Sequence, residues 1–241
     1  MTKETVISHF LELRARLLKV IIFFVFLSIL GIPFSAEIYS FVAAPLINLL
    51  PDGATMIATE VASPFMAPIK LTLYIAMLFS MPWLFYQIWM FISPGLYSNE
   101  RTFTGPLLFS TIILFFSGAS FAFFIVCPII FKFFIGMAPE SIIIMTDISQ
   151  YLSFIFKLVF AFGVAFEIPV ATILLVKSGF ATRNSLIKAR PYLVILFLII
   201  GMLLTPPDIF SQLFLAIPMW VLFEIGIIPV SYTHLTLPTK S

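Results

Sequence analysis

Apolar residues run along this chain in six long blocks, separated by short stretches that carry prolines, glycines and nearly all of the charges. Ahead of the first block the pattern is mixed. Val6, Phe10, Leu13 and Leu17 recur at helical spacing with Ile7, Leu11 and Leu18 beside them, which predicts an amphipathic surface helix over 5–19. It leads into a first span over about 20–34. Further spans follow at about 69–91, from after Arg101 to near Phe131, at 150–177, at 192–204 and at 209–228. A hydrocarbon core takes about 20 residues of helix to cross. The fifth block, 192–204, has only 13 residues, roughly 20 Å of helix. The last two helices are therefore expected to be short, either a re-entrant hairpin or, the favoured reading, a pair around which the bilayer thins. Pro82, Pro128, Pro169 and Pro218 lie inside spans, and helices kinked in this way pack into a concave wall more readily than a straight bundle does.

Composition fixes the class: 61% of the 241 residues are hydrophobic, 10% are charged and 30 are Phe, too much apolar surface for a soluble core to hide. The fold class is all-α, a polytopic membrane protein with six transmembrane helices in one domain over 1–229. Charge placement then orients it. The stretch 35–68 holds Glu37, Asp52 and Glu60 but no Lys or Arg, with a Pro51-Asp52-Gly53 turn, and reads as an external loop. So does 132–148, where Asp147 is placed to cap the fourth span. Lys3, Arg14, Arg16, Lys19, Arg101, Lys177, Arg183, Lys188 and Arg190 all fall on the opposite side, against Lys70 and Lys132 outside. That asymmetry predicts both termini in the cytoplasm.

The side chains on offer do not suit catalysis. Cys127 is the one cysteine, and His9 and His234 lie outside the spans. There is no nucleophile elbow, no zinc-binding histidine pair and no phosphate loop, so no catalytic residue, metal or cofactor is expected. Glu167 stands out instead. It lies near the middle of the fourth span, two residues before Pro169, and a carboxylate there costs on the order of 2.5–3.5 kcal/mol unless it faces protein or water. Either it is a protonated acid bonded within the fold, or it serves function, as the carrier of a proton-coupled transporter would. Glu12 and Arg16, four residues apart, are placed to pair on a helix face. Lys157 is near enough to the external end of its span to snorkel.

Four segments together carry a resemblance: HFLELRAR at 9–16, WMFISPGLY at 89–97 with Glu100 and Arg101 after it, FGVAFEIP at 162–169 and LLTPPD at 203–208. In order and spacing they resemble TatC, the receptor subunit of the twin-arginine protein translocase. The resemblance implies a receptor in the bacterial plasma (inner) membrane that binds the twin-arginine signal peptides of folded proteins and organises their export on the proton gradient. It implies TatB- and TatA-like single-span partners, twin-arginine precursors as cargo, and self-association. Matched residue by residue, it assigns Glu12, Arg14, Phe91 and Glu100 to signal-peptide binding and Glu167 to an intramembrane polar site. By the same matching, Pro45 is expected in the external cap, and Asp208 and Gln212 at the head of the last helix. The residues 230–241 fall outside it and resemble the translation of a transposon-type sequencing adaptor, so they are expected to be non-native.

Overall fold

The computed structural model describes residues 3–47, 56–92, 104–137, 145–177, 179–204 and 209–233. Helix dominates them, because a backbone in hydrocarbon must satisfy its polar groups within its own segment. Six stretches are long and apolar enough to cross a membrane: Phe10–Pro45, Ser63–Phe91, Gly105–Met137, Ile148–Val176, Arg183–Leu204 and Ile209–Ile228. The last two are the shortest of the six, at 22 and 20 residues, as expected from sequence. The chain divides into two compact units, Met1–Ile112 with Pro139–Ser153, and Ile113–Ala138 with Phe154–Ser241.

In the first unit, α1 (Lys3–Gly31) passes through a 3-10 turn (Ile32–Phe34) into α2 (Ser35–Ile47), and both pack on α3 (Ser63–Ile92). The amphipathic segment 5–19 forms the opening turns of α1 and leads straight into the first span, since nothing before Gly31 breaks the run. One expectation changes here. The stretch 35–68, expected as a loop, contains α2 and the start of α3; Glu37 sits in the first turn of α2, where a negative charge suits the helix dipole. Further along, β1 (Met56–Ile57) pairs in parallel with β2 (Thr146–Asp147). Such short strands cannot be read from periodicity. Beside them, the Tyr151 hydroxyl donates to the carbonyl of Val42 at 3.2 Å, fixing α2.

Three helix irregularities follow from prolines and a cap. Between α4 (Thr104–Phe121) and α5 (Cys127–Met137) runs a π-helical turn, Ala122–Val126. It widens the backbone just ahead of Pro128, whose ring would otherwise press on the carbonyl four residues back. Pro169 acts more strongly: α6 (Ile148–Ala165) stops, the Glu167 amide turns to the Val164 carbonyl at 3.0 Å, and α7 (Ile168–Lys177) restarts. The third concerns α8 (Arg183–Leu204), which begins nine residues before its apolar stretch. Thr182 and Ser185 cap it reciprocally, amide to hydroxyl at 2.9 and 3.2 Å. The expected start at residue 192 marked where the helix turns apolar, not where it starts. Last comes α9 (Ile209–Thr233), which continues into the segment set aside as non-native.

Within the second unit, α9 packs on α7 and α8 around Phe197, Met219, Phe223 and Ile227. A Cβ on Gly118 would lie 2.5 Å from the Phe162 carbonyl, and one on Gly163 would lie 2.6 Å from the Phe115 ring. Those two glycines let α4 and α6 close to backbone contact. Outward, Ile21, Ile22, Phe26 and Ile29 of α1 and Ile195 and Ile199 of α8 are exposed, a surface suited to lipid.

Candidate functional site

The opening turns of α1 place Glu12 and Arg16 one turn apart on the face that meets α3. Arg16 donates from Nη2 and Nε to the same oxygen, Glu12 Oε1, at 2.6 and 3.0 Å. Its Nη1 reaches Gln87 Oε1 on α3 at 3.3 Å. The Glu12 side chain is 40% exposed and that of Arg16 18%, so the carboxylate lies open while the guanidinium lies under it. A small cleft of about 40 Å³ sits alongside, lined by Leu13, Arg16 and Leu17 of α1 and by Leu84, Gln87 and Phe91 of α3. One turn from Gln87, Trp83 stacks on Tyr86 at 5.3 Å and tilts against Phe23 at 5.7 Å, stiffening the wall between the two helices.

Glu12 and Phe91, expected to act together, are thus joined through Arg16 and the cleft. Arg14 is exposed and does not line it, as its position two residues from both Glu12 and Arg16 requires in a helix. Glu100 lies outside the described residues, as does Asp208. Sequence reasoning did not single out Gln87, the buried amide at the junction. The available signal was a lone amide between apolar residues, one turn before Phe91.

The other family-matched residues fall elsewhere. Glu167 is half-buried at the α6–α7 break, where Thr172 donates to the Pro169 carbonyl at 2.8 Å and Gly226 of α9 lies directly against Thr172 and Pro169. Pro45 is half-buried inside α2. Gln212 turns towards α8, donating from Nε2 to the Leu198 carbonyl at 2.8 Å, and Gly201 leaves room for it. Further along the same hairpin, Arg190 of α8 pairs with Glu224 of α9 at 2.6 Å. Asp147 caps α6 through the Gln150 amide at 2.9 Å and accepts from the Thr59 hydroxyl and amide at 2.7 and 3.1 Å. The Thr59 hydroxyl, with the Gln150 and Thr59 amides after it, holds this carboxyl below the ordinary aspartate range. Among the described residues there is no cluster of His, Cys, Asp and Glu able to hold a metal.

Comparison with known proteins places this arrangement. Residues 8–218 match the family profile described as Sec-independent protein translocase protein (TatC). The Sec-independent protein translocase protein TatC of Haemophilus influenzae is 52% identical over 225 residues, covering 93% of this chain and 88% of the relative. That of Escherichia coli K12 is 50% identical over 224 residues, covering 93% and 87%. Among solved structures, the crystal structure of the twin-arginine translocase receptor TatC superposes with a TM-score of 0.85 at 35% identity, over 94% of this chain and 99% of that one. Profile, relatives and structure agree over nearly the whole six-span chain, which belongs to the TatC family of Sec-independent protein translocase proteins.

Proposed function

We propose that this protein is the signal-peptide receptor of a twin-arginine translocase, and that the α1–α3 cleft with Glu12 takes a guanidinium of the arriving arginine pair. The observation carrying this is that Glu12 already holds a guanidinium at two points, Arg16 Nη2 and Nε, on an open carboxylate beside an apolar dent. Arginine suits such a site because its planar fork offers parallel N–H donors. Glu100 supplies the second carboxylate. In sequence it belongs to the connection that follows α3, nine residues after Phe91 of the cleft lining.

The cleft faces the cytoplasm, with both termini on that side and the connections around Asp52 and Asp147 outside. The lysine and arginine asymmetry supports this. So does the pairing of β1 with β2, which sets the first and third connections on one side. Single-span TatA- and TatB-like subunits are the partners, folded precursors are the cargo and the proton gradient is the energy source. The protein acts by binding and assembly, not by catalysis, in the bacterial plasma membrane.

Titrating a labelled twin-arginine peptide against the detergent-solubilised protein tests this. Glu100→Ala should weaken binding strongly and Glu12→Ala less or comparably. Hydrogen bonds to charged groups contribute about 1.5–3 kcal/mol each, or roughly tenfold or more in affinity. Glu100→Arg should abolish binding by repulsion. Unchanged affinity in the double alanine variant would refute the assignment.

A further inference from the structure

Lys132 and Lys157 lie inside the spans Gly105–Met137 and Ile148–Val176 of the second unit. Both are exposed, and neither has an ion-pair or hydrogen-bond partner among the described residues. Phe131 of α5 meets Phe154 of α6 edge to face at 5.6 Å, which sets the two helices side by side. Lys132 directly follows the first ring, and Lys157 comes one turn after the second. Ile130 and Ile155, each two residues from its lysine, are only 0% and 4% exposed, so each lysine stands on the outer side of its helix. One connection joins the end of α5 to the start of α6. Lys132 lies five residues before Met137 and Lys157 nine after Ile148, about 8 and 14 Å of helix from those ends.

We propose that Lys132 and Lys157 together hold the phosphate of one anionic phospholipid, at the membrane surface reached by the α5–α6 connection. A lysine stem lets its ammonium rise towards the headgroups while the stem stays in hydrocarbon. Below the charges the surface is apolar. On α5, Ile129 and Ile125 follow Lys132 one and two turns deeper, 42% and 48% exposed, and on α6 Val164 follows Lys157 at 48%. Charge at one end with an apolar track running inward on each helix matches the polarity of a phospholipid, headgroup outermost and an acyl chain along each track. A single carboxylate on a neighbouring helix would leave one of the lysines without a counter-charge. Two ammonium groups on adjacent helices repel each other unless an anion lies between them. A zwitterionic lipid brings its own cation to that place, so the site prefers a net negative headgroup such as phosphatidylglycerol. The site is independent of the signal-peptide cleft, and only its leaflet, the outer one, rests on the proposed orientation.

The test titrates the full-length protein in detergent with labelled phosphatidylglycerol and with labelled phosphatidylcholine of the same acyl chains. Phosphatidylglycerol should bind more tightly. Lys132→Gln and Lys157→Gln should each weaken it about fivefold, the worth of one basic residue at an anionic surface, and the double variant about 25-fold. Phosphatidylcholine should change little. Lys132→Met with Lys157→Met gives the same readout should the glutamine variants not fold. Lys70→Gln removes an exposed lysine of α3 and should leave the preference intact. Glycerol phosphate, a headgroup without chains, should not displace the lipid at equal concentration. An unchanged preference in the double variant overturns the site; loss of a co-purifying single-span subunit from that variant would then give the lysines to a protein carboxylate instead. An equal loss in Lys70→Gln would reduce the preference to bulk attraction, and displacement by glycerol phosphate would leave a phosphate site with no lipid; either result overturns the proposal.

Discussion

Asp147 makes three hydrogen bonds with one carboxylate, two to Thr59 and one to the Gln150 amide, and so ties the β1 connection to the start of α6. Its pKa is lowered by those donors, so the stability it adds is linked to pH with a definite sign. Above the ordinary aspartate value, about 3.9, that stability is fully present. It is lost as pH falls through that value and on through the lower folded one. Asp147→Ala should therefore lower Tm at neutral pH, and the gap from the parent should shrink in melts at progressively lower pH, towards about 3. A gap constant with pH would mean that the bonds do not depend on the charge. The capping role of this residue was legible because Asp147 stands three residues before Gln150 at the head of an apolar run. Its second partner, Thr59, was not, since that bond spans 88 residues and depends on a two-residue strand pair. Gln87 escaped notice for the same reason: its importance depends on α1 packing on α3, which local spacing does not report.

At the scale of the helix, apolar length and helix length proved to be different quantities. Hydropathy located all six spans, yet α8 starts at Arg183 because Thr182 and Ser185 cap it, and α2 is helical despite its acid because Glu37 suits the amino end of a helix. The prolines were informative where a main-chain donor mattered, as at the α6–α7 break, and left the π turn before Pro128 unforeseen. Helix approach is set by glycines that no periodicity marks. Gly118 faces the Phe162 carbonyl, so Gly118→Ala should force α4 away from α6 and destabilise the protein by about 1–3 kcal/mol, the usual cost of overpacking. A Cβ at Gly136 would meet nothing within 4 Å, so Gly136→Ala in α5 should be neutral or mildly stabilising. Thermal melts of the two variants in one detergent distinguish them, and equal destabilisation would contradict the close approach at Gly118.

Across the whole molecule, charge asymmetry, the parallel β1–β2 pair and six candidate spans support the proposed orientation, which labelling tests. Single cysteines at Asn99 and Asp52 in a Cys127→Ala background should react with an impermeant thiol reagent from opposite sides, Asp52 from outside. Labelling of both from outside would refute the orientation. Cys127 is buried, so its replacement should not disturb the exposed surface. The central claim, that the cleft beside Glu12 receives the arginine pair, is tested most directly by a photo-crosslinking residue at Phe91. That probe should capture a twin-arginine peptide and lose it when the arginines become lysines, while the same probe at Ile22, exposed on α1 and outside the cleft, should capture neither. Equal capture at both positions, or capture at Phe91 indifferent to the arginines, would contradict the account.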